Sequence, residues 1–207
     1  MFVPMTLAQA AGGAAVGAVV VLLLIVLGVG LVVLLWGIGV YNRLVRVRNQ
    51  VRNAWSQIDV QLKRRHDLIP NLVETVKGYM GHERQTLEAV IQARNLAAGA
   101  KTVGEHSQSE QQLSRALGQL FVVVEQYPDL KANQNFLALQ EELTSTENKI
   151  GFSRQFYNDV ATRFNTAQQV FPDNLIAQTF KFQPVELFEI TEAAERQVPK
   201  VDLNIRA

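Results

Sequence analysis

The sequence predicts an all-α protein in which one N-terminal transmembrane helix continues into an up-and-down four-helix bundle of long helices. Three observations lead to this fold class. A long stretch near the N-terminus is apolar and uncharged, and basic residues follow it directly. The rest of the chain repeats apolar residues at steps of three and four, which is the spacing of one helix face. Apart from the short tail KVDLNIRA, no run alternates as a strand would.

The apolar stretch predicts a retained membrane anchor. It reads AAVGAVVVLLLIVLGVGLVVLLWGIGV over residues 14–40, and about twenty apolar residues suffice to cross a bilayer as a helix. The alternative, a cleaved signal peptide, needs a basic start and an apolar core of roughly 7–15 residues, and neither feature is present. We therefore expect a short N-terminal segment over residues 1–13 and a transmembrane helix over residues 14–41.

The distribution of charge predicts the orientation. No charged side chain precedes Arg43, whereas seven basic residues and one acidic residue lie between Arg43 and Arg65. Basic flanks remain cytoplasmic, so we expect the N-terminus outside and the C-terminal domain in the cytoplasm. A basic patch beside a membrane span favours anionic lipid over nucleic acid as its partner. The expected membrane-flanking residues are Trp36, Tyr41, Arg43, Arg46, Arg48 and Arg52.

The helical bundle is predicted over residues 42–170. Its first helix continues from the membrane, because one apolar seam runs without interruption through Val40, Leu44, Val47, Val51, Ala54, Ile58 and Leu62. Pro70 disfavours helix at the preceding residue, so we expect this helix to end near His66 and a second to begin with Asp67 as its N-cap. Arg65 would then lie in a last turn, where positive charge complements the helix dipole.

Two further helices complete the predicted bundle. The segment AAGAKTVGEHSQSE is rich in glycine and serine and predicts a loop. A third helix is expected to follow it and to end at the sequence YPD, and a fourth is expected from about residue 130 to 170, where FPDN stops it. The remaining residues, 171–207, form a predicted amphipathic segment and tail.

Four stretches strongly resemble the LemA family: NAWSQIDVQLKRRHDLIPNLVETVKGYMGHE, YPDLKANQNFLALQEELTSTENKI, SRQFYNDVATRFN and FPDNLIAQTFKF. The resemblance covers nearly the whole chain. It implies a helical bundle anchored in the bacterial cytoplasmic membrane, and it implies no particular reaction. A magnetosome-forming paralogue in the family implies a link to membrane shaping.

Few residues suggest chemistry. Cysteine is absent, the chain has three histidines, and the sequence GHE lacks the second histidine of a helix-borne zinc motif. We therefore predict no catalytic, cofactor or metal site. Charged residues on the apolar seams are more informative, because a buried charge is costly unless it is paired. We expect Glu83 or Glu147 to bond Arg94 or Arg154, either as a ligand pocket or switch or as a buried network that fixes helix register. The remaining alternative is that these residues lie on an exposed edge.

Two features suggest association. Small residues spaced by four let membrane helices approach closely, and they occur at Ala10, Gly13, Ala14, Gly17 and Ala18; the alternative is the ordinary glycine content of a span. In the C-terminal segment, apolar residues predict contact with the inner leaflet or a neighbouring subunit, or else packing on the chain's own bundle. They are Phe171, Leu175, Ile176, Phe180 and Phe182.

The function that these observations favour is a non-enzymatic, membrane-anchored scaffold that self-associates and organises or remodels the membrane. The alternative is a regulatory adaptor that recruits an unidentified soluble protein to the membrane. An enzyme would need a pocket lined with paired titratable groups.

Overall fold

The computed structural model describes the backbone of residues 5–188, together with the surroundings of Gly17 and of the side chains of residues 19–188. Three helices are long: α1 (Met5–Lys77), α3 (Val103–Val124) and α5 (Gln134–Gln169). Three are shorter: α2 (Arg84–Gly99), α4 (Pro128–Lys131) and α6 (Asp173–Thr179). Residues 5–188 contain no strand. The predicted all-α class with a long apolar N-terminal helix is confirmed, whereas a bundle of four helices stays a prediction.

The described chain divides into two compact units. The smaller unit consists of the chain up to Val47 together with Ala167–Gln183, and the larger consists of Arg48–Thr166 together with the chain from Pro184. The predicted domain borders at residues 41 and 170 stay predictions. The apolar seam is confirmed by burial: Val47 is half-buried and the other six seam residues are buried, namely Val40, Leu44, Val51, Ala54, Ile58 and Leu62.

The predicted helix break before Pro70 is wrong. Helix α1 continues through Pro70 to Lys77, so Asp67 is not an N-cap. A proline inside a helix costs about 3 kcal/mol. The helical turns after it bury Leu72, Val73 and Val76 in the core, and each such side chain contributes roughly 1.5–3 kcal/mol. The gain from burial therefore exceeds the cost of the proline.

A side chain from another helix compensates for the missing N–H of Pro70. In a regular helix that N–H would donate to the carbonyl four residues earlier, which belongs to His66. The Nε of Arg94, on α2, donates to this carbonyl oxygen at 3.1 Å. Arg94 therefore supplies the hydrogen bond that the proline removes.

The predicted glycine-rich loop is also wrong over most of its length. Helix α2 continues to Gly99 and α3 already begins at Val103. Thr102 and Glu105 form a capping box, in which the hydroxyl of Thr102 accepts from the N–H of Glu105 at 3.1 Å and the Glu105 carboxylate accepts from the N–H of Thr102 at 3.1 Å. Hydrogen bonds from the backbone N–H of Lys101 and then of Thr102 lower the pKa of Glu105. The Thr-x-x-Glu spacing is a readable helix start that composition alone conceals.

The predicted fourth helix is divided near its start. Helix α4 is a single short turn, and α5 begins at Gln134. The side-chain oxygen of Asn133 accepts from the N–H groups of Asn135 and Phe136 at 2.9 and 3.1 Å, which is the hydrogen bonding of a helix N-terminus. The predicted end of this helix at FPDN agrees with the last residue of α5, Gln169.

Replacing Arg94 with methionine tests its role as the substitute donor, because the variant keeps an apolar stem but cannot donate. We expect the free energy of unfolding to fall by about 1–3 kcal/mol, the cost of an acceptor left unsatisfied. In a Pro70→Ala background the backbone N–H is present, so the same substitution should cost less. Denaturant unfolding of the full chain in detergent, followed by circular dichroism, measures both costs. Equal costs in the two backgrounds would contradict the role of Arg94.

Candidate functional site

A buried cluster of charged residues lies in the larger unit. It joins Arg65 and His66 of α1 to Glu110 of α3, and all three residues are buried, Glu110 with no exposed surface. Arg65 Nη1 donates to one carboxylate oxygen of Glu110 at 2.9 Å, and His66 Nε2 lies 2.5 Å from the other. Each oxygen of the carboxylate therefore has its own partner.

The surroundings of Glu110 keep it ionised. Burial, the largest single effect, raises the pKa of this carboxyl group. The hydrogen bond from His66 and the charge of Arg65 lower it by more in combination, so the net shift is downward. A buried charge that is paired and hydrogen-bonded holds its partners firmly, because removing either partner would leave an uncompensated ion.

The cluster also reaches α5. Arg65 Nη2 lies 2.9 Å from the carboxylate of Glu147 on α5 and donates to the hydroxyl of Ser114 on α3 at 2.9 Å. The expectation that Arg65 lies in the last turn of its helix is wrong, because α1 continues past it to Lys77. Its side chain is buried. Sequence reasoning missed Glu110 as well, since it is the last residue of the predicted loop AAGAKTVGEHSQSE.

The four charged seam residues make separate contacts. Glu147 meets Arg65, and Arg94 donates to the His66 carbonyl. The guanidinium of Arg154 lies over the ring of Phe188, 4.4 Å from its centre. Glu83 is half-buried and directly precedes α2.

A cavity of about 250 Å³ adjoins the cluster. Its titratable lining residues are Asp59, Lys63, His66, Asp67, Arg94 and His106. Burial lowers the pKa of His106, against opposing effects from Glu110 and Asp59. Its ring meets Trp55 edge-on with 5.3 Å between centres. Among residues 19–188, no three candidate ligands are grouped to hold a metal ion.

A wider groove of about 590 Å³ lies elsewhere on the larger unit. Its apolar lining includes Trp55 and Tyr157, whose rings are 5.5 Å apart, and burial raises the pKa of Tyr157. Arg52, predicted to flank the membrane, lines this groove together with Lys101 and Glu186.

An extended segment from Val185 to Phe188 is attached to α5 by side chains. Asn165 accepts from the N–H of Val185 and donates to its carbonyl, both at 2.9 Å. Asn158 does the same for Phe188, at 2.8 and 3.0 Å. The hydroxyl of Tyr157 donates to the carbonyl of Glu186 at 2.7 Å. The side-chain amides thus form backbone hydrogen bonds that a neighbouring strand would form in a sheet.

In the smaller unit, α1 exposes its apolar side chains. Within the described residues one helix, α1, is long and apolar enough to cross a membrane, and its residues from Val19 to Leu35 are all exposed. Trp36, Tyr41, Arg43 and Arg46 are exposed beyond this stretch, and Arg48 is half-buried. The stretch can therefore serve as a membrane anchor.

The predicted small-residue packing face falls mostly outside the described side chains. Ala10, Gly13, Ala14 and Ala18 belong to the part of the chain whose side chains are not described. A Cβ added at Gly17 would meet no described atom within 4 Å.

Helix α6 packs on α1 directly after the apolar stretch. Ile176 lies against Gly37, 3.5 Å from where a Cβ would stand, and Ala177 is buried with Val40 and Leu44. The ring centres of Phe180 and Phe182 lie 4.7 and 5.9 Å from that of Tyr41, and Arg43 forms an ion pair with the buried carboxylate of Asp173. Phe171 and Leu175, by contrast, are 74% and 51% exposed.

Comparison with known proteins identifies the family. The sequence model of the LemA family matches residues 54–203. The chain belongs to the LemA family. A curated relative named Protein LemA, from Metamycoplasma hominis, is 31% identical, with the alignment covering 81% of this chain and 77% of that protein.

More distant LemA relatives bear the name of an organelle. Magnetosome protein MamQ 2 from Paramagnetospirillum magneticum is 23% identical over 76% of this chain and 68% of its own length. Magnetosome protein MamQ from Magnetospirillum gryphiswaldense is 22% identical with the same coverage. LemA membership, these relatives and the apolar helix together indicate a membrane-associated protein. None of the relatives' names describes an enzyme.

Replacing Glu110 with glutamine tests the buried cluster. At neutral pH we expect the free energy of unfolding to fall by about 3–5 kcal/mol, since Arg65 loses its buried counter-charge and His66 loses its carboxylate partner. The same substitution at Glu142, whose partner Arg64 is half-exposed, is the matched control and should cost about 0–1 kcal/mol. Denaturant unfolding of the full chain measures both, and equal costs would contradict a central role for the cluster.

The direction in which stability changes with pH follows from the pKa shift of Glu110. The pKa of Glu110 is lower in the folded chain than its unfolded value of about 4.3. Its contribution is therefore complete above about pH 4.3 and is lost as the pH falls through the lower folded pKa. The difference in the free energy of unfolding between the wild type and Glu110→Gln should accordingly become smaller as the pH falls below about 4.3.

Proposed function

We propose that this LemA-family protein is a non-enzymatic, membrane-anchored scaffold that self-associates and organises or remodels the bacterial cytoplasmic membrane. The observation that carries the proposal is the exposed apolar stretch of α1. Residues 19–40 are uncharged, and a run of about 22 residues rises roughly 33 Å as a helix, which matches a hydrocarbon core about 30 Å thick. The N-terminus lies outside and the bundle lies in the cytoplasm, because the basic residues follow the span.

A groove on the larger unit supports self-association. It lies between α1 and α5 and is lined by Val60 and Phe152, with Ser56 and Lys149 at its margins. Phe152 is 74% exposed, Val60 is also exposed, and Phe156 lies one turn beyond Phe152 on α5. An exposed apolar ridge beside a groove suits packing against a helix of a second copy. The four-residue spacing of Gly13 and Gly17 favours a second contact within the membrane.

The hydrogen bonds and ion pairs of Glu110, Arg65 and Arg94 support a role other than catalysis. Both carboxylate oxygens of Glu110 are bonded, Arg65 is shared among three partners, and Arg94 is used on a backbone carbonyl. The similarity to proteins named for the magnetosome supports a function tied to a membrane.

A specific feature favours the alternative of a regulatory adaptor. The groove at Trp55 and Tyr157 combines an aromatic lining with the charges of Arg52, Lys101 and Glu186. Such a surface suits a segment of a soluble cytoplasmic protein.

Self-association is tested on the full chain extracted in native-lipid nanodiscs. We expect a homo-oligomer by mass photometry and electron microscopy. Phe152→Glu should weaken association by roughly tenfold, the equivalent of about 1.4 kcal/mol. Val122→Glu changes an equally exposed residue of α3 and should have no effect. A monomer throughout a dilution series would contradict the scaffold, and one stoichiometric foreign protein in its place would favour the adaptor.

Orientation is tested with a single cysteine, since the chain contains none. A Val122→Cys variant should resist a membrane-impermeant maleimide in intact cells and react after lysis, because the larger unit is expected in the cytoplasm. Labelling of intact cells to the same extent as lysed cells would place this unit on the opposite side.

A further inference from the structure

Helix α6 is held at the level where the apolar stretch of α1 ends. Its contacts are with Gly37, Val40, Tyr41 and Leu44, and the α1 residues preceding them are exposed and apolar. If α1 crosses a bilayer, the first turns beyond Trp36 lie in the headgroup region, where amphipathic rings and arginines are favoured. The position of α6 is therefore that of the membrane interface.

The outward side of this segment is unusually apolar. Its exposed large side chains are Val170, Phe171, Leu175 and Phe180. Exposed groups of this kind mark an interaction surface when they are contiguous with another apolar surface. Here that other surface is the exposed stretch of α1, whose Leu35 and Ile38 stand within two residues of Gly37, the residue on which Ile176 packs.

The charges of the segment fit lipid as the partner. Between residues 170 and 183 the charged residues are Asp173 and Lys181. Asp173 is buried and paired with Arg43, so its carboxylate does not oppose entry into an anionic surface. Lys181 and the neighbouring arginines of α1 carry the charge that favours anionic headgroups.

We propose that residues 170–181 form a second membrane contact, in which Phe171 and Leu175 insert into the interface of the leaflet on the Arg43 side of the span. This inference rests on the part of the proposed function that anchors α1 in a bilayer, and it does not depend on self-association. A contact of this kind enters one leaflet only. The second contact would therefore fix the depth of α1 in the bilayer, and it would occupy space in one leaflet but not in the other.

Single cysteines carrying an environment-sensitive NBD fluorophore test the proposal, because the natural chain has no cysteine. The labelled variants are Phe171→Cys and Leu175→Cys, with Leu27→Cys as the control for the anchor and Val122→Cys as the control for an exposed apolar site on α3. The full chain is reconstituted in vesicles of phosphatidylethanolamine and phosphatidylglycerol, and far-ultraviolet circular dichroism checks that each variant is folded.

We expect a blue-shifted emission at residues 171 and 175 and its loss in vesicles whose lipids carry a nitroxide near the headgroup, while residue 122 keeps a water-like, unquenched emission. Water-like emission at both 171 and 175 would overturn the proposal. Blue-shifted emission that lipid nitroxides leave unquenched would overturn it too, because a protein surface would then cover the segment. If residue 27 escapes quenching by nitroxides deep in the acyl chains, the anchor itself fails; if residue 27 is quenched and 171 is not, only the second contact fails.

Discussion

One turn of α1 makes polar contacts with α2, α3 and α5 in the larger unit. Arg65 reaches Glu110 and Ser114 on α3 and Glu147 on α5, and the carbonyl of His66 accepts from Arg94 on α2. The constraint behind this arrangement is the buried carboxylate of Glu110, which is tolerable only while both its oxygens are paired. A shift of α1 by one turn would separate this carboxylate from its partners, so we expect the cluster to favour one register of α1.

The same turn explains how a proline fits into a long helix. Pro70 removes the donor for the His66 carbonyl, and the free carbonyl becomes the acceptor for a neighbouring helix. A defect in one helix is thereby converted into a contact between two. Since an ordinary residue at position 70 would supply the bond internally, the proline couples the continuity of α1 to the docking of α2.

Side chains also determine the path of the chain after α6. Asn158 and Asn165 are seven residues apart on α5, which corresponds to about 10.5 Å along a helix. Val185 and Phe188 are three residues apart, which corresponds to about 10 Å in an extended chain. The two spacings match, so each amide meets one residue's N–H and carbonyl together. The two side-chain amides thus satisfy four backbone groups of the extended segment without a sheet.

The features that sequence could and could not predict differ in the range of the interaction. Apolar spacing is local, and it correctly predicted the buried seam that includes Leu44, Ile58 and Leu62. In the continuous helix α1, the donor to the His66 carbonyl is 28 residues away, and the acid that pairs with the buried Arg65 is 45 residues away. A rule that considers only neighbouring residues must place a helix end at the proline and the arginine in its last turn. The exposed side chains of residues 170–180 were only partly predictable. Their apolar character can be read from the sequence, but the packing of Ala177 and Ile176 on α1 decides which of them face outward.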